Sequence, residues 1–233
     1  MKKIMTFAIL AMLLAFAGCE KEPPSGNGLF SVSKDKQVRF APGNLEYDSI
    51  NGYSFAAHQY DYGGHFGWGT GSNPTLTSSD YHDYPSFDDW GSYIDGGWRT
   101  LTRDEWKYII EQRADAPAKR GTATVCGVHG WILLPDNFSG GTFNAGSDRC
   151  WTTNVYAPSS WSAMEAAGVL FLPAAGYRWA LERDYVGTDG SYWSSTPNGE
   201  DIAYGVYINA SGVASNARDY RYNGHSVRLV QDI

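Results

Sequence analysis

Basic residues are scarce in this sequence: 18 Lys and Arg stand against 25 Asp and Glu, which gives a formal net charge of −7 at pH 7. Proteins that bind nucleic acids need clustered Lys and Arg to neutralise phosphates. The composition therefore argues against a nucleic-acid partner.

The sequence also lacks the short motifs of common catalytic and metal sites. It has no Gly-x-Ser-x-Gly nucleophile motif and no zinc or EF-hand spacing. We interpret the acidic segment 81–90 (YHDYPSFDDW) as a solvated loop. We therefore expect a protein that binds a ligand without a cofactor or metal and is not an enzyme. Because two acids can meet in space, a hydrolase with paired carboxylates is an alternative.

Long apolar runs are also lacking, apart from Thr6–Ala17. This run has roughly 12 residues, too few to span a bilayer, and it follows two lysines, which is typical of a secretory signal. Its end resembles the lipobox of bacterial lipoproteins, with Phe16 in place of the usual Leu. The resemblance implies that residues 1–18 are removed and that Cys19 carries fatty acyl chains such as palmitate. An ordinary secretory signal is the alternative.

Residues 19–28 form a predicted tether with Pro, Ser and Gly after a charged start. The charged triplet 20–22 (EKE) resembles the surface-export signal of lipoproteins in the Bacteroidetes group. This resemblance implies a lipid-anchored protein of the outer membrane that is exposed at the cell surface. A solvated linker that happens to be charged is the alternative.

Residues 29–233 are long enough for a single domain with one buried core, and the predicted elements are those of an α+β protein. Thr102 and Glu105 form a capping box that predicts a helix from Thr102, and a second short helix is expected over Ser160–Ala167. Strands are expected at 37–40, 53–57, 169–172, 191–196, 203–208 and 225–230, with a hairpin inside 122–134. Residues 58–98 are expected to be a long loop.

Two cysteines lie beyond the lipobox, Cys126 and Cys150. Thiols outside the cytoplasm tend to oxidise, and a bridge between them would close a loop of about 25 residues. We predict a disulfide between Cys126 and Cys150, with two separate thiols as the alternative.

Several motifs in order resemble the Fibrobacter succinogenes major paralogous domain family over about residues 29–233. The motifs are WRTLTRDEWKYI at 98–109, LPAAGYR at 172–178, YWSSTP at 192–197, AYGVYI at 203–208 and GHSVRLV at 224–230. The family is related to the sulfatase-modifying factors that generate formylglycine, and the resemblance implies their C-type-lectin-like fold. It implies two short helices, small mixed or antiparallel sheets and long loops, with the chain ends close together and a loop-rich face for ligands.

The sequence departs from the related enzymes and lectins at their functional residues. Formylglycine-generating enzymes hold copper with a C-terminal cysteine pair, and residues 151–233 contain no cysteine. Calcium-dependent lectins commonly use Glu-Pro-Asn or Gln-Pro-Asp, whereas this chain has Thr196-Pro197-Asn198. Neither oxidase chemistry nor the usual calcium site is therefore expected.

Aromatic residues make up 15% of the chain, with nine Trp and 16 Tyr. Exposed aromatic rings suit recognition, because they supply contact area with few torsions to freeze. Strand alternation places Tyr207 on the face opposite Val206 and Ile208. The predicted ligand-binding residues are Tyr207, Asn216, Arg218, Asp219, Tyr220, Arg221 and Tyr222, most of them in a segment expected to link two strands. The expected function is a surface binding module for a glycan, peptide or protein, with an accessory subunit of a surface or pilus assembly as the alternative.

Overall fold

A computed structural model describes residues 28–233. It has two α-helices and several small sheets, and thus confirms a small α+β protein. The helices are α1 (Arg103–Lys107), continued by a π-helical turn (Tyr108–Gln112), and α2 (Pro158–Ala166). The strands are β1 (Phe30–Ser31), β2 (Gln37–Phe40), β3 (Leu45–Asp48), β4 (Gly52–Phe55), β5 (Trp98–Arg99), β6 (Arg120–Val125), β7 (Val128–Leu133), β8 (Val155–Tyr156), β9 (Leu170–Pro173), β10 (Tyr177–Trp179), β11 (Glu182–Asp184), β12 (Asp189–Asn198), β13 (Ile202–Asn209), β14 (Gly212–Tyr220) and β15 (Val230–Asp232).

The start of α1 follows the sequence prediction. Thr102 accepts a hydrogen bond from the Glu105 amide, and the Glu105 carboxylate accepts one from the Thr102 amide. The capping box thus pairs two of the amides at the helix start that have no partner within the helix. The helix turns Trp106, Ile109 and Ile110 into the core, where all three are fully buried. The second helix begins at Pro158, two residues before the predicted start, because proline suits the first helical turn.

The two ends of the described chain meet in one sheet. Its strand order is β1-β2-β15-β5, so that β15 near the C-terminus lies between an N-terminal strand and the strand before α1. Val230 pairs with Phe40 on one side and with Arg99 on the other. The predicted strand 37–40 is present, whereas only the end of the segment 225–230 is regular strand.

A second four-stranded sheet has the order β8-β6-β7-β9. The predicted hairpin within 122–134 is its centre, with the turn at Cys126 and Gly127, where both residues have positive φ. Every residue of β9 is buried, as expected for the strand predicted there. One core cluster joins this sheet to the others through Trp131, Leu172 and Tyr192.

Residues 58–98 contain two 3-10 turns, Tyr81–Asp83 and Trp90–Tyr93, and no regular strand before β5. Much of this segment is packed and not solvated. Trp68 and Trp90 are buried, and the Trp68 indole N–H donates to the Ser194 carbonyl at 2.9 Å. The long segment therefore covers the sheet formed by the C-terminal strands.

The C-terminal sheet has the order β12-β13-β14, and it corrects one prediction. Residues 215–220, expected in a link between strands, belong to β14, and only 221–223 form a turn. Small, polar and charged residues form a strand here because Ala203–Asp219 and Gly205–Ala217 pair across to β13. Tertiary pairing overrides a sequence that has weak strand propensity of its own.

The predicted disulfide is not present in the structure, where Cys126 and Cys150 are both free thiols. Their sulfur atoms have different neighbours. The Cys126 thiol lies beside Tyr60, whereas the exposed Cys150 thiol contacts the Asp148 carbonyl at 3.2 Å. A disulfide requires Cβ atoms about 3.8 Å apart, and these local contacts hold each thiol in its own loop.

Candidate functional site

An aromatic surface forms where the hairpin of β10 and β11 lies against the end of β14. We use this name for six residues: Tyr177, Trp179, Tyr185, Tyr207, Tyr220 and Tyr222. Tyr177 stacks on Tyr185 at 5.5 Å, and Tyr220 stacks on Tyr222 at 5.1 Å with an interplanar angle of 8°. The edge contact of Trp179 with Tyr222, at 6.4 Å, links the two elements.

Several of these rings face solvent. The exposed fractions are 52% for Trp179, 56% for Tyr185 and 41% for Tyr220. Exposed Leu181 and Val186 adjoin them on the same hairpin. A contiguous exposed apolar patch of this kind marks a site of interaction more often than scattered single residues do.

The position of β10 follows from its pairing with a glycine. The Arg178 amide donates to the Gly224 carbonyl at 2.7 Å, and the Gly224 amide donates back at 2.9 Å. A Cβ at Gly224 would lie 2.6 Å from Arg178 Nε, so the close approach requires glycine. Because side chains two apart on a strand share a face, Tyr177 and Trp179 both point to the aromatic surface.

A cavity of about 200 Å³ opens beside the aromatic surface, on one face of the C-terminal sheet. Its polar lining residues are Ser191, Tyr207, Arg218, Asp219 and His225, and the others are Gly205, Val206, Ala214 and Ala217. Strand alternation turns the side chains of Val206 and Arg218 to the opposite face of the sheet, so these two residues line the cavity with their backbone. The ring of Tyr177 lies 6.5 Å from that of His225, which joins the cavity to the aromatic surface.

Asp219 and His225 form a hydrogen-bonded pair in this cavity, with His225 Nε2 at 2.9 Å from Asp219 Oδ2. The other carboxylate oxygen accepts from Asn223 at 2.7 Å and from the Tyr220 amide at 2.8 Å. Burial raises the pKa of Asp219, but the hydrogen bonds and the charge of His225 outweigh it, and the net pKa lies below its usual range. The carboxylate is therefore ionised at neutral pH.

The His225 ring is held from several sides. It stacks on Trp193 with ring centroids 3.8 Å apart and is 4% exposed. Its Nδ1 atom has no hydrogen-bond partner among residues 28–233. Nε2 faces the ionised Asp219 carboxylate, and Nδ1 is left without a partner in the part of the chain that the structure describes.

His65 lies behind this pair, with both ring nitrogens lacking a well-formed hydrogen bond in the described part of the chain. The backbone of Ala175 lies near the ring. Burial above all, and then the proximity of Arg183, His225 and Arg178, lower the pKa of His65 to about 3. His65 is accordingly neutral at physiological pH.

The predicted binding residues separate into four groups in the structure, the last of which is Arg221 alone. Tyr207, Arg218 and Asp219 line the cavity, and Tyr220 and Tyr222 belong to the aromatic surface. Asn216 is exposed on β14 but does not line the cavity.

Arg221 corrects the prediction, because it is 5% exposed and serves the fold. Its guanidinium lies 4.3 Å over the Trp68 ring and donates to the carbonyls of Tyr84 and Gly199. A buried guanidinium needs such acceptors, so Arg221 is committed to joining the 58–98 segment to the C-terminal sheet.

Sequence reasoning missed Tyr177, Ser191 and His225 as site residues. Tyr177 and His225 lie inside motifs that were assigned to the fold, LPAAGYR and GHSVRLV, and Ser191 directly precedes YWSSTP. Polar residues within or directly beside the fold motifs were therefore the feature of the sequence that could have indicated the site. Their convergence depends on the pairing of β10 with Gly224, which no local pattern reveals.

A larger cavity of about 610 Å³ is formed by α2, by the loop 139–144 and by β8 with the two residues before it. Every side chain that lines it is uncharged. The Asn154 amide there already donates to Thr122 and Asn144, and the Tyr156 hydroxyl donates to Thr142. No buried side-chain polar atom of this lining lacks a partner in the described chain, in contrast to the smaller cavity.

No group of three or more His, Cys, Asp or Glu within 28–233 is arranged to hold a metal ion. In the same range, no helix is both long and apolar enough to cross a membrane.

Residues 146–230 match the model of a family described as a domain of unknown function, DUF8237. The match covers less than half of the chain, but it includes the strands β8 to β14 and all residues of the smaller cavity and the aromatic surface. No curated protein and no solved structure matches the chain.

Proposed function

We propose that this protein is a lipid-anchored glycan-binding module of the outer-membrane surface. The observation that carries the proposal is the aromatic surface beside a carboxylate-lined cavity. Aromatic faces stack on the C–H faces of sugar rings, while carboxylate and hydroxyl groups give directional hydrogen bonds to sugar hydroxyls. Both kinds of group adjoin each other on the β10–β11 hairpin and the C-terminal sheet.

The C-type-lectin-like fold and the family of major paralogous domains are part of this proposal. The pairing of N-terminal strand β2 with C-terminal strand β15 supports them, because the resemblance implies chain ends that lie together. The lipid anchor and surface location rest on the sequence around Cys19, which lies outside the described residues.

Binding and not catalysis is proposed because the cavity holds a single carboxylate. Glycoside hydrolysis generally uses two carboxyl groups on either side of the bond that breaks. Asp219 is the only acid in the cavity lining, and it accepts hydrogen bonds from three protein groups. This arrangement suits a fixed acceptor for ligand hydroxyls.

The test is a glycan array probed with the full-length protein in detergent, together with the double variant Tyr220→Ala/Tyr222→Ala. We expect the variant to lose ligand binding with little change in melting temperature, because surface substitutions usually cost within about 0.5 kcal/mol. Tyr47→Ala is the matched control, since Tyr47 is 37% exposed and lies on β3. An array without any bound glycan, or equal binding by the double variant, would contradict the proposal.

A further inference from the structure

We infer that the cavity beside the aromatic surface takes one neutral sugar ring, at the end of a glycan chain or at a branch. The inference rests on the proposed glycan-binding function and names the ligand class of its most enclosed part. The size of the cavity is the first argument. At about 200 Å³ it is smaller than the roughly 300–1,000 Å³ of pockets for drug-sized ligands. It has room for a single small ring.

The lining has two kinds of surface. Ala214 and Ala217 contribute apolar surface, whereas Ser191 and Asp219 contribute a hydroxyl and a carboxylate. A sugar ring has the same two characters, with apolar C–H faces and a rim of hydroxyls. A purely apolar ligand would leave the ionised Asp219 carboxylate without its remaining hydrogen bonds.

Asp219 gives the cavity an ionised hydrogen-bond acceptor. Its carboxylate is held ionised by His225, and hydrogen bonds to an ionised acceptor are roughly twice as strong as neutral ones. The hydroxyl donors of a polyhydroxylated ligand suit such an acceptor.

The charge around the cavity favours a neutral sugar over an acidic one. Burial raises the pKa of Tyr177, and the nearby charges of Asp184, Asp219 and Asp189 raise it further. The pKa of Tyr207 is also raised by burial first and then by Asp189. The carboxylate of Asp219 in the lining, with Asp184 and Asp189 nearby, repels a carboxylate on the ligand.

The experiment measures competition for an array-positive glycan on the full-length protein. The competitors are free glucose, galactose, mannose, N-acetylglucosamine and glucuronic acid. This competition measurement needs only the wild-type protein. We expect at least one neutral monosaccharide to compete at millimolar concentration, an affinity that suits so small a ligand. Glucuronic acid is expected to compete about tenfold less well, or not at all.

Two variants locate the competition in the cavity. Ala217→Leu fills the space, and Asp219→Asn removes the charge; each is expected to weaken competition by the monosaccharide by about tenfold or more. Ser211→Leu adds the same bulk in the exposed turn before β14 and serves as the control. Melting temperatures establish that each variant is folded.

The outcomes separate this inference from the proposed function. If the wild type binds glycans but no free monosaccharide competes, or if glucuronic acid is preferred, the inference is wrong while glycan binding stands. If a folded Ala217→Leu protein responds to monosaccharides as the wild type does, the ring lies elsewhere and the inference is again wrong. A protein that binds no glycan at all overturns the proposed function first and this inference with it.

Discussion

His65 is the residue whose protonation is most strongly altered by the fold. Burial and the surrounding cations hold its pKa at about 3, whereas the usual value is 6.5. Between these two values the unfolded chain binds a proton that the folded chain does not. Stability therefore rises with pH across this window and is lost as the pH falls from about 6.5 towards 3.

Replacement of His65 by Gln removes the contribution of this histidine to the pH dependence of the free energy of unfolding. We expect the free energy of unfolding of the wild type to fall by about 1.4 kcal/mol per pH unit well inside the window, and that of His65→Gln to fall by less. Urea denaturation at pH 6, 5.2 and 4.5 measures the two slopes. Asp219 does not confound this comparison, because its lowered pKa places its own loss of stability at lower pH. Identical slopes in the two proteins would refute the assignment.

Buried arginines show why residue type alone does not identify ligand-binding residues. Arg228 is 1% exposed, and its guanidinium donates to Asn44 and to the carbonyls of Ala41 and Phe171. Arg221 is buried in a similar way, yet in the sequence it stands among polar and aromatic residues that predicted a ligand site. Composition alone does not separate an arginine that holds the fold from one that meets a ligand, because both need acceptors.

At the level of secondary-structure elements, the hairpin of β10 and β11 depends on the strand contact at Gly224. A methyl group there would lie 2.6 Å from Arg178 Nε and 2.8 Å from Arg178 Cβ. The hairpin would have to move away from the turn that carries Tyr222, and the contact between Trp179 and Tyr222 would be lost.

We predict that Gly224→Ala lowers the free energy of unfolding by about 1–3 kcal/mol, as overpacking usually does, and also abolishes glycan binding. Thermal unfolding and binding to an array-positive glycan are the two measurements. Gly212→Ala is the matched control, because a Cβ there meets nothing within 4 Å. It is expected to change stability by less than about 0.5 kcal/mol. A Gly224→Ala protein that is as stable as the wild type would show that β10 is not fixed by this contact.

The elements that the sequence predicted well are those defined by neighbouring residues. The capping box at Thr102 predicted the start of α1 to the residue, because its hydrogen bonds join positions three apart. The strand β14 was missed, because its residues alternate weakly and its identity comes from pairing with β13. In the site, Tyr207 and Asp219 were predicted from residue type, whereas Ser191 and His225 reach the cavity only through long-range pairing.

On the scale of the whole molecule, the described chain brings its two ends into one sheet and carries its aromatic surface on the C-terminal strands. The first described residue, Gly28, packs against Gly168 at the end of α2, where an added Cβ would lie 2.1 Å from the Gly168 carbonyl oxygen. A tether of residues 19–28 would therefore attach near α2.

The lipid anchor gives the last prediction. We expect Cys19→Ala to abolish incorporation of a clickable fatty acid and to shift the protein from the membrane fraction to the soluble fraction. The physical reason is that each buried methylene of an acyl chain contributes about 0.8 kcal/mol to membrane attachment, and no spanning helix exists within 28–233 to replace it. The controls are Cys126→Ala and Cys150→Ala, since both residues are free thiols that can also take up label. We expect these two variants to label like the wild type, and equal labelling of Cys19→Ala would disprove the lipoprotein assignment.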